Sequence, residues 1–264
     1  MYDFQYQKPT SLADVVKTLS SDPEAKALAG GQTFIPVLKQ RLNRPTVVVD
    51  LAKLGMTGIT VGPDTVTIQA MTTHATVAMS KEIKARIPGL QHLASLIGDE
   101  AVRHRGTIGG SLANNDPAAC YPSAVLALDG VIKTDRREIK ADDFFQGMFT
   151  TALEQGEIIT SVTVKIPQKS AYEKFRNPAS RYPIVGVFVA QFPGGVRVAI
   201  TGASQNGVFR HTAFEQALTA NFSPDAISSI VTPPDDLNSD IHASAEYRAH
   251  LINVVARRAV AKAA

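Results

Sequence analysis

Two pairs of adjacent glycines, each followed by a polar residue, constrain this chain more than any other feature. The first pair is Gly30-Gly31, before Gln32, and the second is Gly109-Gly110, before Ser111. Glycine has no Cβ, so its backbone can adopt positive φ and bring N–H groups close to an anion. A single pair is usually only a turn, but both pairs here interrupt apolar runs. The sequence therefore predicts a diphosphate-binding site that is divided between two loops.

The composition describes a chain that can bury a substantial core and form more than one domain. It has 264 residues, of which 44% are hydrophobic and 19% are charged. The net charge of +3 is small and the basic residues are dispersed, so nucleic-acid binding has little electrostatic support. No apolar stretch is as long as a membrane span, and residues 1–8 do not resemble a secretory leader. We therefore expect a cytoplasmic protein without an integral membrane segment.

The residues that usually bind metals or perform catalysis form no recognisable constellation. The single cysteine, Cys120, excludes an internal disulfide and any iron–sulfur cluster held by this chain alone. The six histidines show no metal-ligand spacing with one another or with carboxylates. No nucleophile is paired with a base. We therefore predict neither a metal site nor a catalytic residue.

Hydrophobic periodicity divides the chain into three segments, at residues 1–54, 55–170 and 171–264. The first segment alternates strands with helices, and its predicted elements are a helix at 11–19, a strand from 28 to the first glycine pair, a helix at 34–42 and a strand at 46–50. In the second segment, apolar and polar residues alternate on both sides of Gly62-Pro63-Asp64, which predicts a hairpin. Helices are predicted at 76–79 and 90–97, and strands at 131–132 and 158–166.

The end of the second segment and the third segment give three further predictions. Residues 112–122 contain too many prolines and too many asparagine and aspartate side chains for regular structure, so we expect a loop. After a boundary at 167–170, residues 184–190 and 196–200 predict an antiparallel pair of strands. Three helices are expected to follow. The apolar stripe of the last helix is predicted to consist of Tyr247, Leu251, Val254 and Val255.

Two stretches around the glycine pairs match the pattern of one protein family. Residues 28–33 read Leu-Ala-Gly-Gly-Gln-Thr, and residues 103–119 read Arg-His-Arg-Gly-Thr-Ile-Gly-Gly-Ser-Leu-Ala-Asn-Asn-Asp-Pro-Ala-Ala. Shorter matches occur at residues 68–74, 172–175, 184–187 and 244–248, so the similarity covers essentially the whole chain. On these motifs the chain resembles the FAD-binding medium subunit of the molybdenum hydroxylases, a group that includes carbon monoxide dehydrogenase and relatives of xanthine dehydrogenase.

The resemblance implies an α+β fold with two domains. Residues 1–170 would form a FAD-binding domain of the vanillyl-alcohol-oxidase (PCMH) type, in two parts at 1–54 and 55–170. Residues 171–264 would form a smaller α+β domain, an antiparallel sheet with helices. FAD would lie between the two parts of the first domain. The residues that the resemblance assigns to FAD are Leu28, Ala29, Gly30, Gly31, Gln32, Thr33, Phe34, Ile35, Thr107, Ile108, Gly109, Gly110, Ser111, Asn115, Asp116, Cys120, Ile159 and Tyr182.

Four of these assignments compete with structural interpretations. Asn115 and Asp116 either contact a ligand or build an Asx turn. The family pattern commonly has aspartate where this chain has Cys120. A thiol is a weak hydrogen-bond donor, so a contact to a cofactor hydroxyl would be lost, weakened or made by another group. Tyr182 lies either beside the isoalloxazine ring or in an ordinary half-buried position.

The resemblance implies electron transfer, with this chain as the FAD-dependent oxidoreductase subunit of a larger complex. Substrate would be oxidised in a large subunit with molybdenum and pyranopterin, and electrons would pass through two 2Fe-2S clusters of a small subunit. FAD would then pass them to an acceptor such as NAD, a quinone or oxygen. The complex would be a heterotrimer or its dimer, cytoplasmic or at the inner face of the membrane. Two alternatives are a self-sufficient FAD oxidoreductase of the same fold and a scaffold subunit that has lost FAD.

Overall fold

The computed structural model describes residues 1–263, and its first segment is a small parallel sheet with two helices. The elements are β1 (Gln5–Gln7), α1 (Leu12–Ser21), β2 (Lys26–Leu28), α2 (Phe34–Lys39) and β3 (Val47–Asp50), followed by a 3-10 turn at Leu51–Lys53. The strand order is β1-β3-β2, and both pairings are parallel. The valines of β3 suit a central strand because β-branched side chains pack well on a sheet. The predicted helices and the strand at 46–50 are confirmed, although α2 ends before residue 42, and the strand predicted from residue 28 lies earlier, at Lys26–Leu28.

The second segment is built on a five-stranded antiparallel sheet. Its elements are β4 (Ile59–Val61), β5 (Thr65–Gln69), α3 (His74–Met79), α4 (Lys81–Arg86), α5 (Pro88–Ser95), α6 (Glu100–Arg105), α7 (Ile108–Asn114), α8 (Tyr121–Ala127), β6 (Val131–Thr134), β7 (Glu138–Lys140), α9 (Ala141–Phe144), β8 (Phe145–Gly147), β9 (Thr150–Thr151) and β10 (Ile159–Lys165). The sheet order is β4-β5-β10-β6-β7, and β8 pairs only with β9. The hairpin around residues 62–64 is confirmed as β4 and β5.

The predicted loop at residues 112–122 is wrong at both ends. Thr107 caps α7, because its Oγ1 accepts a hydrogen bond from the Gly110 N–H at 3.1 Å. The helix continues to Asn114, and Asn115 ends it in the left-handed region with φ of 42°. Pro122 lies in the first turn of α8, where its missing N–H has no helical partner to lose. Only residues 115–120 are irregular.

The third segment is a four-stranded antiparallel sheet covered by a long helix. Its elements are β11 (Lys169–Arg176), β12 (Pro183–Phe192), β13 (Gly195–Thr201), β14 (Phe209–Arg210), α10 (Thr212–Ala220), a 3-10 turn at Pro224–Ile227 and α11 (Ala245–Lys262). The predicted pair of strands is confirmed as β12 and β13, in the sheet order β11-β12-β13-β14. The expectation of three helices is wrong, since the second is only a 3-10 turn.

The apolar stripe of α11 is rotated relative to the prediction. Leu251 and Val255 are buried as expected, but Val254 is only half-buried and Tyr247 is 43% exposed. Arg248 is buried in their place, because its guanidinium donates hydrogen bonds to backbone carbonyls of the sheet. A pattern of hydrophobic residues cannot predict such a buried cation, since the acceptors are distant in sequence.

Hydrophobic cores join the three segments. Val15 and Leu19 of α1 pack in one cluster with Met71 and Ile158 of the second segment. A larger cluster joins the second and third segments through buried aromatic side chains of β11 and β12, such as Tyr172. The chain passes from β10 to β11 at residues 166–168, near the predicted boundary. The division into domains at residue 170 stays a prediction.

Two features are absent from the part of the chain that the structure describes, residues 1–263. None of its helices combines the length and the apolar character that crossing a membrane requires. Within the same residues, no group of three or more histidine, cysteine, aspartate or glutamate side chains is arranged to hold a metal ion.

Candidate functional site

A cavity of about 760 Å³ receives residues from all three segments. Its volume is within the range of ligand sites, about 300 to 1,000 Å³. Most of the residues predicted from the sequence line it, although the loops that carry them are far apart in the chain. The predicted residues in its lining are Ala29, Gly30, Gly31, Gln32, Thr33, Phe34, Thr107, Gly109, Gly110, Ser111, Asp116, Cys120, Ile159 and Tyr182.

Four predicted residues do not line the cavity. Leu28 and Ile35 pack behind the first glycine pair, where a Cβ on Gly31 would lie 2.6 Å from Ile35 Cδ1. Ile108 is 1% exposed and belongs to the core. Asn115 faces the β8–β9 hairpin, as described below. These four side chains support the cavity wall, and their direct contact with FAD stays a prediction.

The first glycine loop presents a row of free backbone donors. The N–H groups of five consecutive residues, 30–34, make no hydrogen bond to any group among residues 1–263. Gly31 has φ of +72°, a conformation that side chains other than glycine rarely adopt. A Cβ on Gly30 would lie 2.0 Å from the carbonyl oxygen of Arg105, so the loop packs directly on the backbone before α7. Gly31 is buried, Gln32 and Thr33 are exposed, and all five residues line the cavity, so their N–H groups are available to a ligand.

The second glycine pair lines the cavity but does not present free N–H groups, and its contact with FAD stays a prediction. Gly109 and Gly110 lie in the first turn of α7, and neither has positive φ. The Gly109 N–H donates to the Ala70 carbonyl at 2.8 Å, and the Gly110 N–H is bonded to Thr107. A Cβ on Gly109 would lie 2.6 Å from the Cβ of Ala70. This pair therefore permits close packing of α7 on the end of β5 and leaves its own N–H groups satisfied.

The charged groups of the lining favour an anion. Lys26, Lys174 and Arg181 contribute three cations, against the two carboxylates of Asp116 and Glu157. Arg137 neutralises Glu157 through an ion pair of 2.9 Å, and its hydrogen bonds lower the pKa of Glu157 to about 2. The cations therefore outweigh the free negative charge of the lining.

Lys174 connects the loop that carries Tyr182 to the wall of the cavity. Its Nζ donates to the carbonyl oxygens of Leu96 and Arg181, each at 2.8 Å, and lies 3.7 Å from Cys120 Sγ. Tyr182 is 48% exposed and lines both this cavity and an adjoining one of about 340 Å³. Partial burial raises the pKa of the Tyr182 hydroxyl. The position between two cavities is compatible with a place beside a flavin ring, and that assignment stays a prediction.

Asn115 and Asp116, for which a ligand contact and an Asx turn were the alternatives, have different surroundings in the structure. Asp116 builds an Asx turn, since its Oδ1 accepts from the Ala118 N–H at 2.9 Å, and it also lines the cavity. Burial raises the pKa of this carboxyl group. Asn115 is 1% exposed, and its Nδ2 donates to the carbonyls of Gly147 and Thr150, each at 2.8 Å. Asn115 therefore holds the β8–β9 hairpin, whose Phe149 lines the adjoining cavity of about 340 Å³.

Replacing Asn115 tests this structural function. Asn115→Gly keeps the left-handed conformation but removes both side-chain hydrogen bonds, which should lower the free energy of unfolding by about 2 kcal/mol. Asn115→Ala should lower it by about 1 to 2 kcal/mol more, because alanine is strained at positive φ. Urea denaturation measures both values. Chymotrypsin should also cleave the variants faster after Phe149 at the hairpin tip, and equal cleavage of parent and variants would contradict the assignment.

Several lining residues were not predicted from the sequence. The polar ones are Lys26, Asn43, His74, Asn114, Glu157, Lys174, Ser180 and Arg181. His74 ends a quoted motif, residues 68–74, and Lys174 lies within another, residues 172–175, so both matches marked positions at the site. No local signal marks Glu157 or Arg181, because only the fold brings them to the cavity.

Comparisons with known proteins show similarity to one family over nearly the whole length of the chain. Residues 2–169 match the model of the FAD binding domain in molybdopterin dehydrogenase. The chain is 35% identical to the nicotine 6-hydroxylase medium subunit of Paenarthrobacter nicotinovorans, over 98% of this chain and 96% of that one. It is 30% identical to the carbon monoxide dehydrogenase medium chain of Afipia carboxidovorans, again over 98% and 96%.

Solved structures of related enzymes have the same fold as this chain. The fold matches reconstituted CO dehydrogenase from Oligotropha carboxidovorans with a TM-score of 0.89 and 31% identity, covering 99% of this chain and 98% of that one. It matches quinoline 2-oxidoreductase from Pseudomonas putida 86 with a TM-score of 0.87 and 27% identity, covering 99% and 97%. The expected family and α+β fold are confirmed. The chain belongs to the family of FAD-binding domains of molybdopterin dehydrogenases, as one of its medium subunits.

Proposed function

We propose that this chain binds one FAD in the cavity of about 760 Å³, with the pyrophosphate at the free N–H groups of residues 30–34. That row of donors is the observation that carries the proposal, because an anion is the ligand that consecutive unpaired N–H groups bind best. The surplus of cations in the lining supports the same assignment. A scaffold that had lost FAD would have no reason to keep five consecutive N–H groups unpaired beside a cavity.

The residues of the chain bind and orient the cofactor. FAD, when bound, supplies the exchange between single-electron and paired-electron transfer. Gly31 shapes the loop that meets the phosphates. Gly109 lets α7 pack closely on Ala70 at the end of β5. Lys174 holds the loop with Tyr182 where the cavity meets its neighbour of about 340 Å³. This neighbouring cavity gives an external electron acceptor a route to the part of the cofactor nearest Tyr182.

The chain is the electron-transfer subunit of a molybdenum hydroxylase complex in this proposal. It would assemble with a large molybdenum–pyranopterin subunit and a small subunit with two 2Fe-2S clusters, as a heterotrimer or its dimer. Support comes from relatives that are themselves medium subunits or chains and that this chain matches over nearly their full length. A cytoplasmic location, free or at the inner face of the membrane, and the domain boundary at residue 170 belong to the same proposal.

Anaerobic mixing of separately purified subunits tests the electron transfer. The chain alone should carry one FAD and no iron or molybdenum. Mixing it with the reduced small iron–sulfur subunit should bleach the flavin absorbance in a stopped-flow experiment, whereas the small subunit without its clusters should not. A chain that binds no FAD would support the scaffold alternative. Flavin bleaching by an organic substrate in the absence of partners would support a self-sufficient oxidoreductase.

A further inference from the structure

We propose that His74 is a further cofactor-binding residue, whose imidazole donates a hydrogen bond from Nε2 to a pyrophosphate oxygen of the dinucleotide. This inference rests on the proposed binding of FAD. It concerns a residue that the sequence analysis did not select, although His74 ends one of the quoted motifs. His74 is the first residue of α3 and lines the cavity of about 760 Å³.

The imidazole of His74 is held in one place by its surroundings. The His74 N–H donates to the Gly106 carbonyl at 2.9 Å, and the preceding Thr73 forms a β-bridge with Thr107. The ring packs against Tyr121 with a centroid distance of 5.3 Å. The residue is only 6% exposed. A side chain fixed in this way cannot turn to find water as a replacement partner.

Neither ring nitrogen of His74 makes a hydrogen bond within the described residues, 1–263. Nδ1 is fully enclosed without a partner, whereas Nε2 is not fully enclosed. Because Nδ1 is enclosed, a hydrogen bond to a ligand in the cavity is open to Nε2 alone. Because His74 lines the cavity, a cofactor bound there could supply the partner that Nε2 lacks in the protein.

The chemistry of the ring selects the donor atom. Burial, helped by the nearby Arg103 guanidinium, lowers the pKa of His74 to about 4, so the imidazole is neutral at pH 7. A neutral imidazole carries one N–H and one acceptor nitrogen. An enclosed N–H without an acceptor is costlier than an enclosed acceptor without a donor. The proton therefore resides on Nε2, the nitrogen that is not enclosed, and that atom can only donate.

The position of His74 identifies the oxygen that accepts this hydrogen bond. A Cβ on Gly106 would lie 2.5 Å from His74 Nε2, so the ring packs directly on Gly106. A Cβ on Gly30 would lie 2.8 Å from the Gly106 Cα, so the first glycine loop packs against the same residue. Gly106 is thus a shared neighbour of Nε2 and of the loop that carries the free N–H groups. The pyrophosphate is the part of FAD that binds those groups in the proposed complex.

Three substitutions test His74. His74→Phe keeps an aromatic ring without nitrogens, His74→Gln places an amide donor near the position of Nε2, and His74→Asn places one near Nδ1 instead. Titration of the apoprotein with FAD, followed by flavin fluorescence, measures the dissociation constant. We expect His74→Phe and His74→Asn to raise it about tenfold, and His74→Gln to raise it by less than about threefold. The ³¹P NMR signal of bound FAD should shift in His74→Phe and His74→Asn.

The stability of the apoprotein separates this function from a purely structural one. Without FAD, His74→Phe should melt at the parent temperature or above, since it removes an unpaired buried nitrogen. Equal FAD affinity of the parent and His74→Phe would overturn the inference, and so would equal loss of affinity in His74→Asn and His74→Gln. If His74→Phe does not fold, the comparison of FAD affinity between His74→Asn and His74→Gln tests the inference by itself. A parent chain that binds no FAD would refute the proposed function instead.

Discussion

Gly30→Ala is expected to lower the affinity for FAD by about 100-fold, which corresponds to the loss of two hydrogen bonds to a charged group, about 3 kcal/mol in total. The added Cβ would lie 2.0 Å from the Arg105 carbonyl oxygen and 2.8 Å from the Gly106 Cα. Both neighbours are backbone atoms and cannot rotate away, so the loop itself must move. Displacing the loop moves the free N–H groups of residues 30–34 away from their common target. Equilibrium dialysis of the apoprotein against FAD measures the effect.

Two other glycines provide matched controls for Gly30→Ala. A Cβ on Gly194, in the turn between β12 and β13, would meet nothing within 4 Å, so Gly194→Ala should leave the affinity for FAD unchanged. A Cβ on Gly110 would lie 3.0 Å from the side-chain oxygen of Thr107, which needs only a small adjustment. Gly110→Ala should therefore have an intermediate effect. Equal affinities for Gly30→Ala and Gly194→Ala would show that the first loop does not bind the cofactor.

Arg248→Met is expected to lower the free energy of unfolding by about 3 kcal/mol and the melting temperature by about 6 to 12 °C. Arg248 is 3% exposed. Its Nη1 donates to the carbonyl oxygens of Ile184 and Gly202, at 2.7 and 2.9 Å, and its Nη2 donates to Asp240 at 2.7 Å. Methionine fills much of the volume but leaves both buried carbonyls without a donor, which accounts for most of the loss.

Arg258 provides the control for this stability effect. It is exposed on the same helix, α11, and forms no ion pair among residues 1–263. Arg258→Met should therefore change the free energy of unfolding by less than about 0.5 kcal/mol. Guanidinium denaturation followed by circular dichroism compares the two variants. If both were equally stable, the hydrogen bonds of Arg248 would not contribute to the fold.

The elements predicted best from the sequence are those whose signals are local. The hairpin of β4 and β5 follows from alternating side chains on both sides of one turn, and α1 follows from apolar residues at helical spacing. The prediction of a loop at residues 112–122 is wrong because it treats proline and asparagine only as helix breakers. Pro122 starts a helix and Asn115 ends one, so both residues act at helix boundaries.

The second glycine pair shows why a motif does not determine its own contacts. The sequence predicted that both pairs present free N–H groups, and only the first does. The donors of Gly109 and Gly110 are bonded to Ala70 and Thr107. Gly109 is separated from Ala70 by several helices of the chain, so its hydrogen bond forms only when α7 packs on the end of β5. No pattern around residues 109–110 could have indicated this partner.

The sequence by itself determined the family and the position of the phosphate-binding loop, because both depend on short runs of residues that act through their own backbone. Gly31 needs no partner to adopt positive φ. Only the tertiary structure decided which side chains complete the cavity. His74, Lys174 and Arg181 come from different elements, and they meet because hydrophobic cores pack the three segments together. Burial and hydrogen bonding depend on these neighbours, which are distant in the chain, so the unpaired state of His74 and the buried cation of Arg248 emerge only in the folded protein.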